Sequence, residues 1–225
     1  MIEILAGLIA GALHVWSGPD HLAAIAPLAV RHRRRSWKVG VRWGIGHSLG
    51  VACVALAALW LRDWIAPDLL STWGERLVGV MLVGIGLWGL AIAYRSHLHV
   101  HRHAHDGHDH THVHVHAHGH APDRTTPMPH VHFHAAMGVG LLHGVAGGSH
   151  FLGVLPALAF PTVVQAIAYL GAFAVGTIAA MATFGLLMDL LTRRSDRAGA
   201  NAYRGLMALA SAAATAVGCF WIASA

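Results

Sequence analysis

Charged residues are scarce in this sequence, and their scarcity excludes an ordinary soluble domain. Asp, Glu, Lys and Arg together make up 11% of the 225 residues, whereas hydrophobic residues make up 56%. Soluble domains carry about 25% charged residues, so the composition is typical of an integral membrane protein. The basic residues lie in short segments beside the apolar runs, where they set orientation in a bilayer. We therefore expect no nucleic-acid partner.

Cysteine is almost absent as well. The chain has two cysteines, Cys53 and Cys219, and both lie within apolar runs. We expect them to be small core residues and predict neither a disulfide nor a thiolate metal ligand. A cationic segment before the first apolar run is also missing, which is not typical of a cleaved signal peptide. The first run is therefore expected to be a retained helix.

What the sequence has in abundance is long apolar runs. A membrane-spanning helix needs about 20 apolar residues, and six runs reach or approach that length: 4–30, 39–61, 77–94, 135–160, 162–191 and 205–224. We predict an all-α integral membrane protein with six transmembrane helices. Of the 15 Lys and Arg residues, 13 follow the first, third and fifth runs. The positive-inside rule then predicts both termini outside and the long segment after the third helix in the cytoplasm.

The two halves of the chain resemble each other. A shift of 129 residues lays GALHVWSGPDHLAAIAP on GLLHGVAGGSHFLGVLP without a gap, so that His14 and His21 meet His143 and His150. The pattern predicts two three-helix repeats, residues 1–95 and 135–225, joined by a loop at 96–134. Because three is odd, the second repeat must be inserted upside down. Such 3+3 inverted repeats place substrate sites near the bilayer midplane, between broken helices.

A helix break is expected inside each repeat. His14 and His21 would lie about 10 Å apart on one face of a regular helix. Gly18 and Pro19 disfavour that geometry, because proline removes a backbone donor and glycine adds freedom. In the second repeat Gly147 and Gly148 stand between the matching histidines. An unwound segment can bring the imidazoles of each pair closer together.

Ionisable side chains at membrane depth are costly and mark an ion or substrate path. The candidate metal ligands are His14, Asp20, His21 and His47, faced by His143 and His150 from the second repeat. Imidazole-rich sites favour nickel, copper, zinc or cobalt. Two alternatives stay open at this point. Asp20 could orient a ligating histidine instead of binding metal, and each histidine alone could be a hydrogen-bonded packing residue.

The first motif, HVWSGPDHLAAIAPLA, followed by GIGHSLG, resembles the nickel/cobalt transporter superfamily and specifically its UreH-like branch. The family signature H-x4-D-H differs here, because five residues separate His14 from Asp20, and six helices replace eight. The resemblance implies a bacterial-type inner (plasma) membrane protein that carries Ni²⁺ or Co²⁺ as substrate, with His14, Asp20, His21 and His47 in the metal-recognition positions. It also implies a cytoplasmic metallochaperone or a urease maturation system as partner.

Several functional alternatives remain. Inward movement of a divalent ion is favoured by the membrane potential, about 4.6 kcal/mol per 100 mV, so we expect nickel uptake. The histidine-rich loop resembles that of nickel/cobalt exporters, which leaves proton-coupled efflux open. Paired histidines also ligate haem in membrane electron carriers. No H-E-x-x-H motif of a metalloprotease occurs, and we expect neither an enzyme nor a permanent cofactor. The oligomeric state is not determined by the sequence.

Residues 97–134 hold 15 of the 21 histidines. Alternating histidines would share one face of a strand, but the residues between them offer no adequate core face, so we expect a disordered tract. It is predicted to bind several metal ions loosely and to release them as histidines protonate near pH 6; a tolerated low-complexity linker is the alternative. The auxiliary metal ligands are His99, His101, His103, His105, His108, His110, His112, His114, His116, His118 and His120.

Overall fold

The computed structural model describes residues 1–32, 35–61, 67–95, 97–105, 108–116, 131–146, 153 and 155–225. The helices of this part are α1 (Ile2–Ser17), α2 (Pro19–His32), α3 (Ser36–Leu61), α4 (Pro67–Arg95), α5 (Val131–Ala146), α6 (Val163–Ala198) and α7 (Ala200–Ser224), with a 3₁₀ helix at Leu155–Ala159. Two strands, β1 (His97–His105) and β2 (His108–His116), form an antiparallel hairpin.

Membrane-type helices dominate the described chain. By length and apolar composition, three helical stretches can cross a bilayer, Trp73–Tyr94, Val163–Ala198 and Ala200–Ser224. The α1 and α2 helices pass the same test only as a pair, bent by 73°. The predicted all-helical membrane part is therefore found, whereas the count of six spans is not confirmed.

The fourth apolar run, 135–160, is described in two separate parts. Helix α5 ends at Ala146, and the Leu155–Ala159 segment is a separate 3₁₀ helix. Gly147 and Gly148 follow Ala146 directly in the sequence, and glycine is a poor helix former because it loses the most backbone freedom on ordering. The break predicted at these two glycines lies outside the described residues.

Helix α3 packs against α5 through glycines on both helices. A Cβ atom at Gly140 or Gly144 would collide with the carbonyl oxygens of Trp43 and His47, respectively. The contact advances in the same direction along both chains, so the two helices run parallel. Close approach at glycines spaced four residues apart is the usual packing of membrane helices, where van der Waals contact replaces the hydrophobic effect.

The same kind of contact joins α1 to α6. A Cβ at Gly7 or Gly11 would collide with the carbonyl oxygens of Tyr169 and Phe173, again in parallel order. The third large pair, α4 with α7, is antiparallel, since Gly79 lies near Gly218 whereas Gly86 lies near Ser211. Each of these three pairs joins a helix from residues 1–95 to one from residues 131–225.

Both cysteines are free and exposed, which corrects their assignment to the core. The error has a physical cause. Many large apolar side chains of these helices are also exposed, among them Leu13, Val163 and Leu209, because a lipid-facing surface is as apolar as the interior. Hydrophobicity therefore does not separate core from surface in such a helix.

The histidine-rich segment also differs from the expected disordered tract over residues 97–116. Its two strands pair in register, from His97 with His116 to His105 with His108. The positions between the histidines pair as well, with Leu98 opposite Val115 and Val100 opposite Val113. Apolar cross-strand pairs stabilise a hairpin, and a single strand viewed alone does not show them.

Candidate metal centre

The site lies where α1 gives way to α2. Helix α1 ends at Ser17, Gly18 has an extended backbone (φ −90°, ψ 101°), and Pro19 begins α2. Proline suits a first helical position, where its missing N–H would have had no intrahelical partner. The His21 N–H donates to the Gly18 carbonyl at 3.2 Å. A Cβ at Gly18 would collide with Nδ1 of His21, so the break and the histidine are packed together.

Three imidazoles from three helices converge at this break. The Nε2 atom of His14 lies 3.0 Å from Nε2 of His21 and 3.4 Å from Nε2 of His47. Histidine nitrogens bound at about 2.0–2.1 Å in a tetrahedral zinc site lie about 3.3–3.4 Å apart. The observed spacings are therefore close to those of one metal coordination sphere. His21 and His47 are buried, and His14 is half-buried.

A carboxylate holds the central histidine in place. Asp20 Oδ1 lies 3.0 Å from Nδ1 of His21, and Asp20 Oδ2 lies 3.1 Å from Nε2 of His143 on α5. An ionised carboxylate only accepts hydrogen bonds, so Nδ1 of His21 is the donor and its Nε2 carries the lone pair that faces His14. This carboxylate–histidine arrangement is the common support of metal-bound imidazoles.

Two overlapping groups of possible metal ligands result, and both contain His21. The first is His14, His21 and His47, and the second is Asp20, His21 and His143; within each group the ligand atoms lie within 4.8 Å of one another. Asp20 is 5% exposed and His143 is fully buried. An anionic side chain at such depth is costly unless it is paired, and here histidines contact both of its oxygens.

Aromatic rings enclose the histidines. The buried Trp43 stacks on His47 with ring centroids 4.8 Å apart and an interplanar angle of 11°, and it also contacts His21 and His143. Phe173 lies 5.5 Å from His14. Trp43 was not among the predicted site residues, although it stands four residues before His47 and so on the same face of α3.

Of the predicted site residues, the structure brings together His14, Asp20, His21, His47 and His143 around the break at Gly18 and Pro19. Gly147, Gly148 and His150 lie outside the described residues, as do His118 and His120. The remaining auxiliary histidines are positions of the hairpin strands. The haem alternative does not fit this cluster, because imidazoles at hydrogen-bond distance leave no room for a porphyrin ring between them.

Comparison with known proteins finds relatives other than those expected. The chain is 37% identical over 179 residues to "Chloroplast protein FOR GROWTH AND FERTILITY 1" of Arabidopsis thaliana, covering 79% of this chain and 47% of that protein. It is 34% identical over 179 residues to "Chloroplast protein FOR GROWTH AND FERTILITY 2", with 79% and 44% covered. The chain thus spans less than half the length of these curated relatives. No protein-family model matches it. No solved structure matches it.

These findings overturn three expectations. The relatives carry the names of chloroplast growth and fertility proteins, so the assignment to the nickel/cobalt transporter superfamily is wrong. Nickel or cobalt transport, which depended on that assignment, is wrong with it. The expected bacterial-type inner membrane is contradicted by the chloroplast location in both names. The misleading signal was a short motif, H-x5-D-H, whose residue types many metal-binding proteins share.

Proposed function

We propose that this chain is a membrane protein that binds one divalent metal ion with a preference for nitrogen ligands at the His14–His21–His47 cluster. Zn²⁺ is the ion used to test the proposal. The observation that carries the proposal is the convergence of three Nε2 atoms at 3.0 and 3.4 Å. Three histidines with an open fourth position are a common zinc arrangement. The proposal assigns the metal a binding role and no enzymatic reaction.

The surroundings of the cluster support the same proposal. Asp20 orients His21 through Nδ1 and is itself held by His143, as the outer partners of metal-bound histidines are. A buried group of histidines without an ion could instead pack through N–H···N hydrogen bonds. That arrangement would give each histidine pair one hydrogen bond, but it would not require the Asp20 carboxylate that orients the His21 ring.

Retention of zinc by the purified full chain tests the proposal. The chain is loaded with Zn²⁺ in detergent, washed with a chelator of intermediate affinity, and the remaining metal is counted by mass spectrometry. We expect His21→Gln and His47→Gln each to lose one tightly held equivalent. His32→Gln is the matched control, because His32 also lies on α2 but bonds to the Leu28 carbonyl at 2.8 Å. Equal retention by all three variants would refute the site.

We further propose that the two halves are inverted repeats of three spans each, giving six spans in all. The parallel packing of α1 with α6 and of α3 with α5, and the antiparallel packing of α4 with α7, support this arrangement. Consecutive spans alternate in direction, so the first and fifth spans and the second and fourth spans must run parallel, whereas the third and sixth must run antiparallel.

A chloroplast membrane is the proposed location. The support comes from the names of both relatives, which match 79% of this chain. Fractionation of cells from the source organism, with an antibody against the chain, tests the location. Recovery with plastid membranes is expected, and recovery with plasma membrane alone would contradict the proposal.

A further inference from the structure

The register of the hairpin brings the histidines of the two strands opposite one another. All five histidines of β1 pair directly with histidines of β2: His97 with His116, His99 with His114, His101 with His112, His103 with His110 and His105 with His108. Successive residues of a strand alternate between its faces, so the five pairs lie on one face. A shift of one residue in the register would have broken every pair.

We propose that this face is a second metal site, a histidine ladder in which adjacent cross-strand pairs bind divalent transition-metal ions. Directly opposite residues of an antiparallel pair have Cβ atoms about 4.5–5.5 Å apart, and positions two apart along a strand are separated by about 6.6–6.8 Å. Two adjacent pairs therefore place four imidazole-bearing positions around one point, which is the number a tetrahedral Zn²⁺ ion takes.

The number of pairs sets the capacity of the ladder. Five pairs give two complete sets of four histidines and one pair left over. The ladder is therefore expected to hold two ions with four ligands each. This differs from loose binding by a histidine-rich but irregular chain, in which the capacity follows the number of histidines and not their register.

Apolar pairs on the opposite face of the hairpin favour the same register. Leu98 with Val115 and Val100 with Val113 are apolar pairs on that face, and such pairs stabilise two-stranded structure. An isolated hairpin is marginally stable in water. Metal ions that join the strands on the histidine face would add stability to the same register, because metal binding and folding are coupled in small sites.

The test separates register from composition by exchanging neighbouring residues of β2. The permuted full chain carries His108→Asp with Asp109→His, His110→Thr with Thr111→His, His112→Val with Val113→His, and His114→Val with Val115→His. Its composition is unchanged, but four of the five cross-strand pairs are removed. We expect the permuted chain to retain two fewer Zn²⁺ equivalents than the native chain after the chelator wash. Equal retention would overturn the ladder.

A second variant controls for the loss of the apolar cross-strand pairs, because the exchange also moves Val113 and Val115. Replacing the five histidines of β1 by glutamine leaves β2 native and removes every pair, so the same loss of two equivalents is expected. Hydrogen exchange at residues 97–116 should slow when Zn²⁺ is added to the native chain and should not change in either variant. Protection of the permuted chain by zinc would also overturn the proposal. The His14–His21–His47 cluster, called the buried centre below, is unchanged in all three chains. Zinc retained at that cluster is therefore measured separately, by the His21→Gln and His47→Gln variants.

Discussion

At the scale of single residues, Asp20 connects the two parts of the buried cluster. One oxygen accepts from His21 and the other lies 3.1 Å from His143. The negative charge keeps a proton on Nδ1 of His21, which leaves the Nε2 lone pair directed at the neighbouring histidines. Without that charge, the His21 ring has no fixed tautomer and its ligand atom loses its orientation.

Asp20→Asn is therefore expected to weaken zinc binding at the buried centre by about 10- to 100-fold, the usual cost of removing an outer partner of a metal-bound histidine. A competition titration against a chromophoric chelator measures the affinity. Asp189→Asn is the matched control, because Asp189 is also buried but pairs with Arg193 at 2.6 Å on α6. A similar loss in both variants would indicate general destabilisation and would contradict the positioning role of Asp20.

Gly18 is required by contact and not by backbone conformation. Its φ of −90° and ψ of 101° are open to any residue, but an added Cβ would collide with Nδ1 of His21. Gly18→Ala is thus expected to displace the ring and to lower zinc affinity by at least about tenfold, or about 1.4 kcal/mol. Gly84→Ala, where a Cβ meets nothing within 4 Å, should bind as the native chain does. Unchanged affinity in Gly18→Ala would contradict the packing of the break against His21.

At the scale of elements, the packing of α3 against α5 positions two of the four histidines. His47 lies on α3 and His143 on α5, and the carbonyl of His47 itself lies where a Cβ of Gly144 would be. The position of one histidine is thus coupled to the small size of the residue beside the other. Separation of the two helices would move His47 away from His143, whose ring centroids lie 5.6 Å apart.

Gly144→Ala is expected to lower the thermal midpoint of the detergent-solubilised chain by several degrees. Overpacking of a close contact costs about 1–3 kcal/mol, which exceeds the gain of about 1 kcal/mol from alanine's helix propensity. On the same helix, Gly138→Ala meets nothing within 4 Å and should keep or raise the midpoint. If the two variants melt alike, the α3–α5 contact is not the constraint we describe.

Some of these features can be predicted from the sequence and others cannot, for physical reasons. A break at Gly18–Pro19 is predictable, because both residues act locally on the backbone. The contact of Asp20 with His143 is not, because it depends on which face of α5 meets α2. The hairpin was missed because the residues between the histidines were judged on one strand; the Asp-Gly dipeptide at 106–107, common in two-residue hairpin connections, was the available signal.

At the scale of the whole molecule, three helix pairs connect the first half of the chain to the second. Two of these pairs are parallel and one is antiparallel, and the histidine cluster takes His14, His21 and His47 from residues 1–95 and His143 from residues 131–225. Length and composition support three spans, or four with the bent pair. Helices α3 and α5 are not among these spans, so six spans require that both also cross the membrane. The bent pair either crosses the membrane or returns to the side where it entered.

Cysteine labelling decides between these two arrangements. In a Cys53→Ser, Cys219→Ser background, single cysteines are introduced by Ile2→Cys and Arg35→Cys, which flank the bent pair, and sealed vesicles are treated with a membrane-impermeant maleimide. If α1 and α2 form one span, the two positions are labelled from opposite sides of the membrane, and the Gly18 break with its histidines lies within the bilayer. Val80→Cys, an exposed position within the Trp73–Tyr94 span, should resist the reagent from either side. Labelling of both flanking positions from one side would make the pair a re-entrant loop, would exclude the six-span arrangement, and would place the buried centre at the end of a loop instead of inside a crossing helix.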